Sequence, residues 1–158
     1  MKEEKYKKLV ETVNDWVWEV DTQGVYTYSS PRVKDLLGFS PEEVVGKTPF
    51  DFMTKEDAKK IAPGFVEIVK SKKSFSGLEN YNVTKGGKVV LLETSGSPIL
   101  DEKGGLLGYR GVDRDITERK QVEKDLETKV KELEKINKVM VGRELQMIEL
   151  KEKIKKYE

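Results

Sequence analysis

Polar side chains recur among apolar residues between positions 75 and 99, where the pattern is typical of β-strands. Asn80, Asn82, Thr94 and Ser95 carry amide and hydroxyl groups that both donate and accept hydrogen bonds. A few convergent polar groups within an apolar lining are the usual chemistry of a small-molecule pocket. These residues are therefore candidate polar contacts for a bound ligand.

The remaining candidate pocket residues are aromatic and aliphatic. Alternation along the first predicted strand puts Trp18 and Val20 on one face, opposite Val17, and we expect the Trp18 face to point inward. The candidate pocket residues are Trp18, Val20, Phe50, Phe52, Phe65, Ile68, Tyr81, Leu92, Thr94 and Tyr109. The alternative is that they simply fill a hydrophobic core, as apolar residues at this spacing often do.

The residue types that the chain lacks exclude several chemistries. None of the 158 residues is cysteine, which excludes disulfides, thiolate metal sites and a cysteinyl–flavin adduct. None is histidine, which excludes histidine-ligated haem or zinc and a phospho-accepting histidine within this chain. Carboxylates are plentiful, but no nucleophile–base pair or metal cluster is apparent, so we predict no catalytic and no metal site. A non-covalently bound small ligand remains compatible with the sequence, which does not specify one.

Charge and hydropathy bear on partners and location. The 30 basic and 29 acidic residues leave a formal charge of +1, which gives no electrostatic case for binding nucleic acid. No apolar run approaches the roughly 20 residues that cross a bilayer, and the N-terminus does not resemble a signal peptide. We expect a cytoplasmic chain with no membrane segment.

Five segments have the composition and alternation of strands. Residues 16–20 and 25–29 flank a turn and predict a hairpin, and residues 75–83, 89–99 and 106–116 predict a three-stranded antiparallel meander. Helical patterns fall before and between these groups. The sequence therefore predicts an α+β domain whose single sheet has one face covered by helices.

The helices carry recognisable start signals. Apolar spacing over 5–14 predicts a short N-terminal amphipathic helix. Ser40 is followed by proline and then glutamate in the pattern of a capping box, and Thr54 precedes a longer helix by the same logic. Pro63 lies inside that longer helix and is expected to kink it or divide it in two.

The pattern changes at residues 113–120, where the strands end and a long charged helix begins. Asp115 is placed to cap that helix through backbone N–H groups near Thr117 and Glu118. The predicted point of signal transmission, where a movement of the last strand would move the helix, consists of Asp115, Ile116, Thr117 and Glu118. The alternative is an ordinary helix cap with no signalling role.

The C-terminal tail predicts a parallel coiled coil. Apolar residues at heptad spacing form a seam of Val122, Leu126, Leu133, Ile136, Met140, Met147, Leu150 and Ile154. Charged Lys129 and Arg143, together with Gly142, weaken this seam. A second copy of the chain is the natural way to bury it, so we predict a homodimer. The alternative is a solvated helix that becomes ordered only beside a further domain.

Five segments, taken in order, resemble the PAS sensor-domain family. They are WEVDTQG at 18–24, LGFSPEEVVGK at 37–47, KGG at 85–87, GSPI at 96–99 and GYRGVDRDITERK at 108–120. The resemblance implies a five-stranded antiparallel sheet with short helices that enclose a pocket on one face. It also implies a sensor domain over 1–117, including the N-terminal helix, and a signalling and dimerisation helix over 118–158. Such domains typically precede histidine kinases, cyclases or transcriptional regulators.

The predicted function follows from this organisation. The chain is expected to be a non-catalytic signal-input module that dimerises and passes a ligand, redox or partner signal through its coiled coil to an output. A histidine kinase of a two-component system is the favoured downstream domain or partner. The alternative is a dimerisation or scaffold module that binds no ligand.

Overall fold

A computed structural model describes residues Lys2–Tyr157 and contains one five-stranded antiparallel sheet. Its strands are β1 (Trp16–Asp21), β2 (Tyr26–Ser29), β3 (Phe75–Val83), β4 (Val89–Leu100) and β5 (Leu106–Asp115). Their order in the sheet is β2-β1-β5-β4-β3. The last three strands form the predicted meander, and β1 pairs with β5 at the centre.

The helices occur where their start signals predict them. They are α1 (Lys2–Thr12), α2 (Val33–Leu37), α3 (Pro41–Val44), a 3-10 turn (Pro49–Asp51), α4 (Lys55–Ser71) and α5 (Thr117–Lys155). The predicted fold class is confirmed: an α+β domain built on a five-stranded antiparallel sheet, with a long C-terminal helix. The chain divides after Thr117 into two compact units.

Local sequence explains most helix boundaries. The Ser40 hydroxyl accepts a hydrogen bond from the Glu43 N–H, and the Glu43 carboxylate accepts one from the Ser40 N–H, which completes the predicted capping box. Helix α2 ends at Gly38, whose φ of 80° is readily adopted only without a side chain.

Pro63 does not divide helix α4, which was one of the two effects expected of it. The helix runs without interruption from Lys55 to Ser71 with Pro63 inside it. A proline removes one backbone hydrogen bond from the helix, and the remaining bonds and the apolar face of α4 hold the two halves together. Ile68 and Val69 of that face pack against the hydrophobic core.

The core lies on one face of the sheet, beneath the short helices. Alternate residues of β1 supply Trp16, Trp18 and Val20, each at most 4% exposed. Gly111 on neighbouring β5 leaves room for the Trp18 indole, because a Cβ there would collide with that ring and with the Ser95 carbonyl. Within Lys2–Tyr157, no helix is both long and apolar enough to cross a bilayer.

Candidate functional site

A small cavity lies between the sheet and the segment 49–65. Its volume is about 40 Å³, which is room for roughly two or three water molecules. The sheet contributes nine lining residues: Trp18, Val20, Tyr26, Phe75, Leu78, Asn80, Asn82, Thr94 and Asp113. The 3-10 turn, α4 and the residues near them contribute Pro49, Phe50, Met53, Ile61 and Phe65. The wall is therefore mostly apolar and strongly aromatic, with its polar groups confined to the sheet.

Those polar groups form one hydrogen-bonded chain across four strands. The Asn82 amide donates to Asn80 Oδ1 at 2.6 Å, and the Asn80 amide donates to Thr94 Oγ1 at 2.8 Å. The Thr94 hydroxyl bonds to the Asp113 carboxylate, which also accepts from Trp18 Nε1 at 2.9 Å. Strands β3, β4, β5 and β1 thus each supply a member, and residues 95 positions apart in sequence meet.

Asp113 is the electrostatic centre of this chain. Its side chain is buried, with 5% relative exposure, and burial raises its pKa to about 7. The hydrogen bonds from Trp18 and Thr94 favour the ionised form, while the charge of Asp15 adds a smaller repulsion. Burial, helped by Asp113, also raises the pKa of Tyr26 well above its ordinary value. Among the residues described, neither lysine nor arginine lines the cavity.

A larger groove lies beside the cavity, between α4 and β3. Its volume is about 320 Å³, and its polar lining residues are Asp57, Lys60 and Glu79. Four apolar residues line both spaces and separate them: Ile61, Phe65, Phe75 and Leu78. Phe65 sits on α4 beside Gly64, and its ring lies 5.8 Å from that of Phe50.

The predicted pocket residues fall into four groups. Trp18, Val20, Phe50, Phe65 and Thr94 line the cavity. Phe52, Leu92 and Tyr109 are buried in the surrounding core, and Ile68 lines the adjoining groove. Tyr81 lies elsewhere: it is 40% exposed, because strand alternation turns its neighbours Asn80 and Asn82 inward. Of the other candidate polar contacts, Asn80 and Asn82 line the cavity and Ser95 does not.

Seven lining residues were not predicted from the sequence: Tyr26, Pro49, Met53, Ile61, Phe75, Leu78 and Asp113. Asp113 and Tyr26 are the two of these that carry an ionisable group. Asp113 lies four residues after Tyr109 on β5, so period-two alternation places both on the same face. Tyr26 begins the short strand β2, and its ring lies 5.5 Å from that of Trp16. Alternation along both strands was therefore the signal that could have revealed them.

The segment that leads from β5 into α5 is tied to β4. The Asp115 carboxylate accepts from the Thr117 N–H at 2.9 Å and from its hydroxyl at 2.6 Å. Ile116 is 2% exposed, and its N–H donates to the Leu91 carbonyl at 2.9 Å. The Leu91 N–H in turn donates to Thr117 Oγ1 at 2.9 Å. Asp115, Ile116 and Thr117 are thus held in place by side chain and backbone together, and Glu118 follows as the next residue of α5.

Helix α5 is a single helix of 39 residues in which no residue is buried. All eight predicted seam residues are exposed, and the exposure of each lies between 53% and 64%. In proteins, most of the stability of a helix comes from tertiary packing of its apolar face.

Across Lys2–Tyr157 no group of acidic side chains is arranged to hold a metal ion. A single antiparallel sheet, one helix-covered face and a small cavity between them define the architecture of this α+β domain. The family model described as the PAS fold matches residues 10–121. The chain belongs to this family.

Relatives and solved structures agree with this assignment. Sporulation kinase C of Bacillus subtilis (strain 168) is 27% identical over 123 residues, which are 78% of this chain and 28% of that protein. A PAS domain from Colwellia psychrerythraea superposes with a TM-score of 0.67 at 24% identity and covers 75% of this chain and 99% of that one. A sensory box histidine kinase/response regulator structure from Burkholderia thailandensis has a TM-score of 0.64 at 18% identity, with 83% and 98% covered.

The chain spans 28% or less of the length of the curated relatives that it matches. What it shares with them is thus a PAS sensory domain, related to those of sensor histidine kinases.

Proposed function

We propose that this chain is a non-catalytic signal-input module that acts as a homodimer. In this proposal, a change in the cavity of the PAS domain is passed through residues 115–117 to α5, and from α5 to an output such as a histidine kinase core. The relationship to sensor kinases supports this output. The observation that carries the proposal is the continuity of β5, which holds Asp113 in the cavity and Asp115 at the start of α5.

The path from the cavity to the helix is short and made of stiff elements. Asp113 and Asp115 lie on the same strand, and both pair with residues of β4. The cavity residue Thr94 pairs with Asp113, and Leu92 pairs with Asp115. A shift of β5 relative to β4 would therefore change the hydrogen bonds of Thr117 with Leu91 as well as those of Asp113. In this proposal, the signal passes from the cavity to α5 because the pairing of β4 with β5 positions both Asp113 and Asp115.

Dimerisation is supported by the exposed seam of α5. Full burial of a leucine or isoleucine side chain contributes about 1.5–3 kcal/mol, and eight seam residues per chain are available for it. The two charged positions, Lys129 and Arg143, and Gly142 reduce the free energy gained by burying the seam. Because the seam is only weakly stabilised, two packing arrangements of the helix pair can have similar free energies, as a switch requires.

The dimer is tested by sedimentation equilibrium of the full chain. The wild type is expected to be dimeric, and Leu133→Glu is expected to weaken the dimer at least about a hundredfold, because both chains place a charge in the seam. Thr128→Glu is the matched control, since it adds the same charge off the seam. A monomeric wild type, or equal effects of the two substitutions, would contradict the dimer.

Transmission is tested by fusing the full chain to a histidine kinase core and measuring autophosphorylation. Thr94→Val removes the hydroxyl between Asn80 and Asp113, so the kinase rate should change severalfold. Thr27→Val on the exposed face of β2 should leave the rate unchanged. If the kinase does not respond to Thr94→Val while the fusion remains dimeric, signal transmission from the cavity is refuted.

The second candidate function is a dimerisation module that binds no ligand. The observation that favours it is the small volume of the cavity, about 40 Å³, compared with the several hundred Å³ of usual ligand pockets. A dimer whose fused kinase ignores every cavity substitution would support this candidate.

A further inference from the structure

The cavity contains an acidic group without a basic partner in its wall. Asp113 is buried and lines the cavity, where it accepts from two neutral donors, Trp18 and Thr94. A carboxylate has about four acceptor positions, so it retains capacity for further donors. Because a buried charge is stable only when it is paired or hydrogen-bonded, the site favours an occupant that brings N–H donors and positive charge.

The rest of the wall also favours a cation. Five aromatic side chains line the cavity: Trp18, Tyr26, Phe50, Phe65 and Phe75. The faces of aromatic rings attract ammonium and guanidinium groups, most strongly where water is excluded. The same rings give the site affinity for an apolar body attached to the charge. An anionic ligand would meet the Asp113 carboxylate and find no basic residue among the lining positions.

The groove beside α4 adjoins the cavity. The groove and the cavity share Phe65 and three other apolar residues as a common wall. The groove also carries two acidic residues, Asp57 and Glu79, against one basic residue, Lys60. A ligand that enters here passes a slightly acidic opening before it reaches Asp113.

We propose that the cavity binds a small organic cation, an ammonium or amidinium group on an apolar body, whose N–H groups donate to the Asp113 carboxylate. The apolar body packs among Phe50, Phe65 and Phe75 and extends toward the groove when Phe65 turns aside. This assignment rests on the proposed function, because it names the chemical class of the signal that the domain would sense.

The test compares three probes of similar shape by calorimetric titration of the full chain: benzylammonium, benzyl alcohol and benzoate. Benzylammonium is expected to bind about ten- to a hundredfold more tightly than benzyl alcohol, as for a buried charge-assisted hydrogen bond, and benzoate should not bind. Asp113→Asn should reduce the preference for the cation to less than about threefold. Asp35→Asn, at an exposed position on α2, should leave the preference unchanged.

The dependence on pH provides a second measurement that needs no variant. The ionisable groups that act on Asp113 are Asp15 and Tyr26. Since the cation pairs with the ionised carboxylate, its affinity should rise from about pH 6 to about pH 8, while that of benzyl alcohol stays constant. Absence of saturable benzylammonium binding, or equal affinities for benzylammonium and benzyl alcohol, would overturn the assignment.

The two proposals fail separately. If the chain is dimeric and the fused kinase responds to Thr94→Val but benzylammonium does not bind, the ligand class is wrong and the input function stands. If benzylammonium binds through Asp113 but the kinase does not respond to Thr94→Val, the site is right and transmission is wrong.

Discussion

Replacement of Asp113 by asparagine should make the protein more stable at neutral and alkaline pH than the wild type. Asparagine has the shape of aspartate, and its amide oxygen can accept the hydrogen bond that Trp18 Nε1 donates to Asp113 Oδ1. It carries no charge to bury. The substitution therefore removes the cost of ionising a carboxyl group inside the cavity and keeps most of its contacts.

The magnitude follows from the pKa. A rise from the ordinary 3.8 to about 7 means that ionised Asp113 lowers the free energy of unfolding by about 4 kcal/mol. The pKa of Asp113 is higher in the folded state than in the unfolded state. The free energy of unfolding is therefore highest below the unfolded-state pKa, where the carboxyl is protonated in both states, and it falls as the pH rises through about 7. Between about pH 5 and about pH 8 the wild type should lose about 2–3 kcal/mol that Asp113→Asn retains.

Urea unfolding of the full chain, followed by circular dichroism at both pH values, measures this difference. The absence of histidine removes the side chain that most often titrates in this range, so the wild type and the variant differ mainly at Asp113. Asp35→Asn serves as the control, because it makes the same change of residue type at an exposed position on α2. Parallel pH profiles for the wild type and Asp113→Asn, within about 1 kcal/mol, would refute the assignment of a strongly raised pKa.

Two glycines provide further predictions of opposite sign. Gly111→Ala should destabilise the domain by about 3 kcal/mol in urea unfolding, because the new Cβ collides with the Trp18 ring and the Ser95 carbonyl; an unchanged midpoint would contradict that contact. Gly142→Ala meets open space on α5 and should stabilise the helix by about 1 kcal/mol per chain, which sedimentation would detect as a tighter dimer. A weaker dimer would instead mean that Gly142 lies against the partner helix.

Local signals predicted the elements well because they act over a few residues. The capping box at Ser40 and the alternation of Trp16, Trp18 and Val20 each depend on positions within one turn or one strand. The placement of Pro63 was harder to predict, because the cost of one missing hydrogen bond is offset by side chains that pack from other elements. The effect of Pro63 therefore depends on two opposing contributions: the loss of a backbone hydrogen bond within the helix and the packing of the helix on the core.

The cavity was predicted less completely than the fold. Aromatic residues such as Trp18 and Phe65 were identified by type, whereas Tyr81 has the same type and lies on the exposed side of β3. The type of a residue indicates whether its side chain is suited to line a pocket. The face of the sheet on which that side chain lies depends on the register of its strand. Asp113 was not predicted because an aspartate is usually exposed, and its hydrogen-bond partners Trp18 and Thr94 lie on two other strands.

The sequence by itself determined the strand and helix pattern, the residues available for an apolar seam, and the absence of thiol and imidazole chemistry. These properties depend on residue identity and short-range spacing. Only the tertiary structure decided that Asn82, Asn80, Thr94, Asp113 and Trp18 form one hydrogen-bonded chain, since the strand order β2-β1-β5-β4-β3 brings distant segments together. The burial that raises the pKa of Asp113 likewise comes from all of these strands at once, and no short segment of the chain encodes it.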